Sequence, residues 1–316
     1  MTLNPQETAL LFPGQGSQFV GMGAELAQRY PAAQQVFAQA DALLGFSISR
    51  LAWNGPEKDL NETINTQPAL MVHSIAALRV LQELHPDFKP VMTAGHSMGE
   101  LSALVAAGAM TFEIGLPLVR TRGEAMRRAG EISPGGMAAI LGLDIPTLDK
   151  ICTTASQPGQ PVQVANDNCP GQVVISGAAP SLERALELAK AAGAKRAVPL
   201  AVSIAAHSDL MRPAQEQFTQ AVQEAAISAP GTPTVGNVSA TPLKTAEQVR
   251  ADLYAQLTSR VRWTESIQWM IAQGITTFIE VGSSSVLSGL LRRINRSVQA
   301  LPLGSPEDFE RLAAAF

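Results

Sequence analysis

The sequence predicts an α/β fold: a parallel sheet covered by helices, with a ferredoxin-like βαββαβ unit inserted into it. Three observations carry this. Short apolar runs end in glycine- or proline-rich turns and lead into segments of helical periodicity, the alternation that builds parallel sheets. One central stretch departs from it and runs strand, helix, strand, strand, helix, strand. Hydrophobic residues make up 46% and charged residues 16% of the 316, which supplies a sizeable core in one large domain or two unequal ones.

Thr8–Phe12 (TALLF) is the first strand, halted by Pro13 and the glycines of PGQGSQ. Apolar positions at helical spacing follow over Glu25–Leu44 and again over Pro68–Leu84. PVMTAG supplies a second strand, and a helix opens directly after it. FIEVGSS, Phe278–Ser284, is a strand ending in a loop, followed by a helix over Leu287–Ile294. In the middle, GGMAAILGL is a strand and IPTLDKICTTA a helix. PVQVAND and GQVVISG are two strands joined by the turn-rich NCPG. PSLERALELAKAAG is a helix with a glycine stop, and AKRAVPLAV closes the unit as a strand. The expected organisation is therefore an inserted ferredoxin-like unit over residues 135–202 and a large α/β unit over residues 1–134 and 203–316.

The net charge of −4 gives no electrostatic case for nucleic acid. Cys152 and Cys169 have neither CxxC spacing nor a disulfide framework, which fits a reducing compartment. No histidine–carboxylate cluster has ligand spacing, so no metal is expected. The longest apolar run, Leu101–Met110, is too short to cross a bilayer, and the opening residues lack the basic region and apolar stretch of a signal peptide. A cytoplasmic protein that binds neither membrane nor nucleic acid is expected.

The chemistry centres on GHSMG, residues 95–99, which fits G-x-S-x-G between a strand and a helix. A tight strand-to-helix turn brings backbone close on both sides of the serine, where only small residues fit, and leaves Oγ exposed. The amide of Met98 then points into the same space, and the helix start favours negative charge. This makes the large unit hydrolase-like and Ser97 a nucleophile. A serine needs a base. Among the four histidines, His85 precedes a proline in a loop, His73 sits within a helical segment, and His96 is a neighbour of Ser97 whose side chain diverges from it on a sharp turn. His96 is better read as supporting the elbow, and elimination leaves His207 as the base. Asp144, Asp149 and Asp167 fall between serine and histidine but lie in the inserted unit, and Asp209 has the position of a helix cap. No third member of a triad declares itself, which weakens a plain esterase.

LFPGQGSQFVGMG, TQPAL, GHSMGELSALVAAG, Arg122–Gly123, NCPGQVVISG, AGAKRAVPLAVS followed by His207, and QLTSRVRW occur in that order, from about Leu10 to beyond Leu290. Together they resemble the malonyl-CoA:acyl carrier protein transacylases of fatty-acid synthesis, which are related to polyketide-synthase acyltransferase domains. The resemblance implies that Ser97 carries the acyl group as an ester and that His207 is general base and then acid. It implies an oxyanion hole from the amides of Gln15 and Met98, and a pairing of Arg122 with the free carboxylate of the malonyl group. A main-chain carbonyl matching Gln256 would hold the imidazole in place of an aspartate, and His96 and Asn168 would line the site.

Physical chemistry agrees. GQGSQ lacks the lysine of a P-loop and the third glycine of a dinucleotide fingerprint, whereas exposed amides suit an oxyanion. A guanidinium grips a carboxylate through two parallel hydrogen bonds, as lysine does not. One departure stands at Ala206, where many relatives carry phenylalanine or serine; the small side chain implies room for a methyl branch on the acyl group. The implied partners are malonyl-CoA, as substrate rather than cofactor, and acyl carrier protein, received on a basic rim such as Lys195–Arg196 or Arg292–Arg293. The alternatives are a serine hydrolase or thioesterase using the same elbow, a transferase of a polyketide or malonate-decarboxylation pathway, and a docking subunit with a vestigial site.

Overall fold

The computed structural model describes residues 3–313; Met1, Thr2 and Ala314–Phe316, the outermost residues of the expected large unit, lie outside them. The strands are β1 (Thr8–Phe12), β2 (Met92–Gly95), β3 (Gly135–Leu141), β4 (Val162–Cys169), β5 (Gln172–Ala178), β6 (Arg196–Pro199), β7 (Thr234–Val235), β8 (Pro242–Leu243), β9 (Thr277–Val281) and β10 (Gln299–Leu303). They form a 6-stranded sheet in the order β10-β9-β1-β2-β7-β8 and a 4-stranded sheet in the order β4-β5-β3-β6.

In the larger sheet β1 pairs in parallel with β2 and β9, and only β8 runs antiparallel, on β7. Every residue of β1 is buried, as a central strand covered on both faces requires. Phe12 lies opposite Gly95, and Leu11 opposite Glu280. This register sets the turns after β1, β2 and β9 side by side at the carboxyl edge, where open α/β sheets place their ligands.

The smaller sheet is antiparallel and has the ferredoxin-like order expected from the sequence. Helices Ile145–Ala155 and Ala179–Ala191 pack on it around Ile140, Leu148, Ile175 and Ala185. Beyond its second helix, Gly193 at φ 88° supplies the stop. Asp167 N–H donates to the Val261 carbonyl at 2.9 Å, and Val261 N–H to the Ala165 carbonyl at 2.8 Å. These two bonds tie β4 to the chain of the larger unit, one residue before Asn168.

Several boundaries differ from the sequence reading, each for a local reason. The Glu25–Leu44 segment is two helices, Ala24–Arg29 and Pro31–Leu44. Pro31 forces Tyr30 to an extended φ of −120°, which ends the first helix. The helix expected from Pro68 begins at Thr63 and carries Pro68 in its interior. The Ile64 carbonyl, deprived of the missing proline N–H, accepts instead from Arg120 Nη1 at 2.8 Å. The closing strand of the small sheet stops at Pro199, short of Val202, as an edge strand with proline does. Helix Phe112–Ile132 and strands β7, β8 and β10 were not anticipated.

Candidate active site

The turn from β2 into helix Gly99–Ala106 is as tight as the motif requires. A Cβ on Gly95 would collide with the Gly99 carbonyl, and one on Gly99 with the Phe12 carbonyl. Ser97 itself sits at φ 52°, a left-handed conformation that costs a side-chain-bearing residue roughly 1–2 kcal/mol. Asn237 holds it there. Its Oδ1 accepts from the Ser97 N–H at 2.7 Å, and its Nδ2 donates to the Gly95 carbonyl at 2.7 Å. The sequence reading missed Asn237, because nothing local marks a residue whose partner is 140 positions away.

Ser97 Oγ and His207 Nε2 are 2.8 Å apart. On the other side of the ring, Nδ1 faces two main-chain carbonyls, Gln256 at 2.8 Å and Ser259 at 3.2 Å. Carbonyls only accept, so these partners assign the proton to Nδ1 and leave Nε2 to receive the Ser97 proton. The aspartates weighed from the sequence are engaged elsewhere. Asp144 caps a helix, Asp149 lies 3.8 Å from Arg260, Asp167 takes the Thr264 hydroxyl, and Asp209 pairs with Arg212.

Burial, and then the charge of Arg122, pull the His207 pKa down to about 3. The base form is therefore present throughout the neutral range. Labelling of Ser97 by a sulfonyl fluoride is expected to keep its rate from about pH 8 down to about pH 5, since protonation sets in only nearer the lowered pKa. A rate that halves near pH 6.5, the ordinary imidazole value, contradicts this environment.

Arg122 comes from helix Phe112–Ile132 and is 1% exposed. Its Nη2 donates to Ser97 Oγ at 3.1 Å and to Gln256 Oε1 at 2.9 Å, its Nε to the same Oε1 at 3.1 Å, and its Nη1 to Gln67 Oε1 at 2.8 Å. Burial lowers its pKa to about 10, so it stays cationic at neutral pH. Every direct partner is a neutral amide, hydroxyl or thioether. A buried cation without an ion-paired carboxylate is costly and marks a site for an anion.

The remaining predicted residues divide. His96 Nε2 donates to Asn168 Oδ1 at 2.8 Å, and its ring meets Trp263 edge-on at 5.4 Å. The PGQGSQ loop lies against this elbow, since a Cβ on Gly14 would collide with the His96 carbonyl. Among the described residues, neither the Gln15 nor the Met98 main-chain N–H has an acceptor within the protein. Gln256 touches Arg122, Ser97 and His207 together, through its side chain and its carbonyl. Ala206 is half-buried and packs on the main core. Lys195 and Arg196 are exposed, as are Arg292 and Arg293, the last donating to Gln172 Oε1 at the β4–β5 turn. Among the described residues, no three histidine, cysteine or carboxylate side chains are grouped to hold a metal, and no helix is long and apolar enough to cross a membrane.

An imidazole and a buried guanidinium thus converge on one hydroxyl, that of Ser97. Comparison with known proteins points the same way. Residues 9–304 match the family model described as acyl transferase domain. A malonyl CoA-acyl carrier protein transacylase of Bacillus subtilis is 47% identical over 304 residues, 96% of this chain and 95% of that protein. The crystal structure of an acyl carrier protein S-malonyltransferase from Vibrio cholerae matches with TM-score 0.94 and 41% identity, over 97% of this chain and 100% of that one. A type II PKS acyl-carrier protein in complex with its malonyl-transacylase gives a TM-score of 0.93 at 42% identity, covering 98% and 99% of the two chains. Matched over nearly its whole length in sequence and in fold, the chain belongs to the acyl transferase family, among the malonyl CoA-acyl carrier protein transacylases.

Proposed function

We propose that the protein transfers a malonyl group from malonyl-CoA to the phosphopantetheine thiol of acyl carrier protein through an ester on Ser97. The observation that carries this is the meeting of His207 Nε2 and Arg122 Nη2 on one oxygen, at 2.8 and 3.1 Å from Ser97 Oγ. A hydrolase of simple esters has no use for the second contact.

The steps follow from the geometry. The malonyl carboxylate pairs with Arg122, which brings the thioester carbonyl to Ser97. As Oγ attacks, its proton passes to His207 Nε2, and the Gln256 carbonyl keeps the opposite N–H aligned. The oxyanion is received by the Gln15 and Met98 amides, donors that typically contribute about 2.7–4 kcal/mol each. Collapse expels the coenzyme A thiolate, which takes the proton from His207. The carrier-protein thiol then repeats these steps in reverse, and two thiols using one site in turn give ping-pong kinetics. No group outside the protein and its substrates is needed. His96 and Asn168 form the wall beside the nucleophile, and Ala206 leaves space for a branched acyl group. Residues 135–202 act as an inserted unit that brings Asn168 to the site. The basic pairs Lys195–Arg196 and Arg292–Arg293 offer rims for an acidic carrier, and two free, buried cysteines suit a reducing cytoplasm.

The test is intact mass spectrometry after mixing with malonyl-, methylmalonyl- or acetyl-CoA. A malonyl adduct is expected with the native protein and none with Ser97→Ala, and the acetyl adduct should be minor. Free malonate released without a thiol acceptor, faster than transfer, would instead make the protein a hydrolase.

A further inference from the structure

Glu100 stands at the start of the elbow helix, has no part in the steps above, and is fully buried. It touches the residue that holds both Arg122 and His207. Gln256 Oε1 accepts from Arg122, its Nε2 donates to the Ser97 carbonyl at 3.1 Å and to Glu100 Oε2, and its main-chain carbonyl faces His207 Nδ1. The other Glu100 oxygen, Oε1, is buried without an N–H or O–H donor. A carboxylate anion is poorly served in such a place, whereas a carboxylic acid turns that oxygen into a donor. An acceptor adjoins it. Asp252 is 5% exposed, and its carboxylate takes the Val238 N–H at 3.1 Å and the Ser239 N–H at 3.0 Å. Asp252 and Arg122 are the charged groups that face Glu100.

We infer that Glu100 is a positioning residue working as a neutral acid, its O–H given to Asp252 and its Oε2 accepting from Gln256, so that the Gln256 amide is fixed with Oε1 toward Arg122. The inference rests on the reading of Arg122 as receptor for the substrate carboxylate. Hydrogen bonds then run in one direction, from Arg122 through Gln256 and Glu100 to Asp252. An ionised Glu100 would offset the guanidinium charge and compete with the substrate; the neutral acid leaves that charge to the malonyl group. Burial and the Asp252 carboxylate together push Glu100 well above the ordinary carboxylate range, against the opposing pull of the Gln256 amide and the Asn237 main chain.

Glu100→Leu and Glu100→Gln, made in the full chain, test this. Glutamine keeps the shape and both hydrogen bonds, donating an N–H to Asp252 and accepting from Gln256; leucine keeps neither. Glu100→Leu is expected to raise the KM for malonyl-CoA roughly tenfold, the effect of losing the buried hydrogen bond that orients Gln256, and to lower the malonyl-to-acetyl loading ratio. Glu100→Gln should restore both to within about threefold. Infrared spectra at neutral pH give a readout that packing alone does not move: a protonated-carboxyl band in the native protein that is lost in Glu100→Gln. A spectrum unchanged by Glu100→Gln overturns the proposal, as does a glutamine variant that loses the malonyl preference as fully as leucine. Arg122→Ala is measured alongside. If it leaves the loading ratio intact, the carboxylate receptor is wrong, while the infrared band still decides the state of Glu100.

Discussion

Replacing Arg122 by alanine is expected to lower malonyl loading of Ser97 by roughly two to three and a half orders of magnitude relative to acetyl loading. The magnitude follows from burial. The guanidinium is 1% exposed, so the substrate carboxylate is desolvated when it binds, and breaking such a pair from one side costs about 3–5 kcal/mol. Acetyl-CoA lacks the carboxylate and should lose far less. Its residual loss reports the contact of Arg122 with the hydroxyl itself, and the ratio of the two donors removes that common part. Arg122→Lys should fall between the two, because an ammonium keeps the charge but cannot serve Gln67, Gln256 and a carboxylate with one planar fork. A malonyl-to-acetyl ratio unchanged in Arg122→Ala removes the clamp from the mechanism.

His207→Ala is expected to slow acylation of Ser97 by about 10²–10⁴-fold, the usual worth of a positioned base. Binding should survive, because Arg122 and its amide partners do not lean on the imidazole for their hydrogen bonds. Stopped-flow loading with malonyl-CoA separates the two effects, with the rate constant falling and the apparent affinity nearly unchanged. His96 cannot take over, since its Nε2 is occupied by Asn168 at 2.8 Å. Fast loading in this variant would mean that another group removes the serine proton.

What the sequence made legible was local. The elbow can be read because the contacts that exclude side chains at Gly95 and Gly99 lie within a few residues or on the adjoining strand β1. The small antiparallel sheet can be read because its six elements are consecutive and their turns carry glycine. Long-range contacts left no such trace. Asn237 clamps the nucleophile from a loop beyond a two-residue strand, and β7 is a strand only because β2 and β8 flank it. Glu100 is a charged residue type beside a motif, which composition would place at the surface. Helix Phe112–Ile132 was hidden by Pro117 and by arginines that do different things. Arg120 serves the Ile64 carbonyl, Arg127 pairs with Glu131, and only Arg122 points inward. The carbonyl behind His207 was expected from the family resemblance alone, since any residue has a carbonyl.

The carbonyls behind the imidazole also bear on which acceptor can discharge the ester. An imidazolium backed by neutral oxygens, and lying near a guanidinium, is short-lived, so His207 is a weak base. It suffices for Ser97, whose oxygen is already polarised by Arg122. It suffices for a thiol, with a pKa of about 8.5, but not readily for water, a far weaker acid. In the proposed mechanism, neutral carbonyls where an esterase would place an aspartate are expected to disfavour water as acceptor, so that an ester on Ser97 outlasts the wait for a carrier thiol.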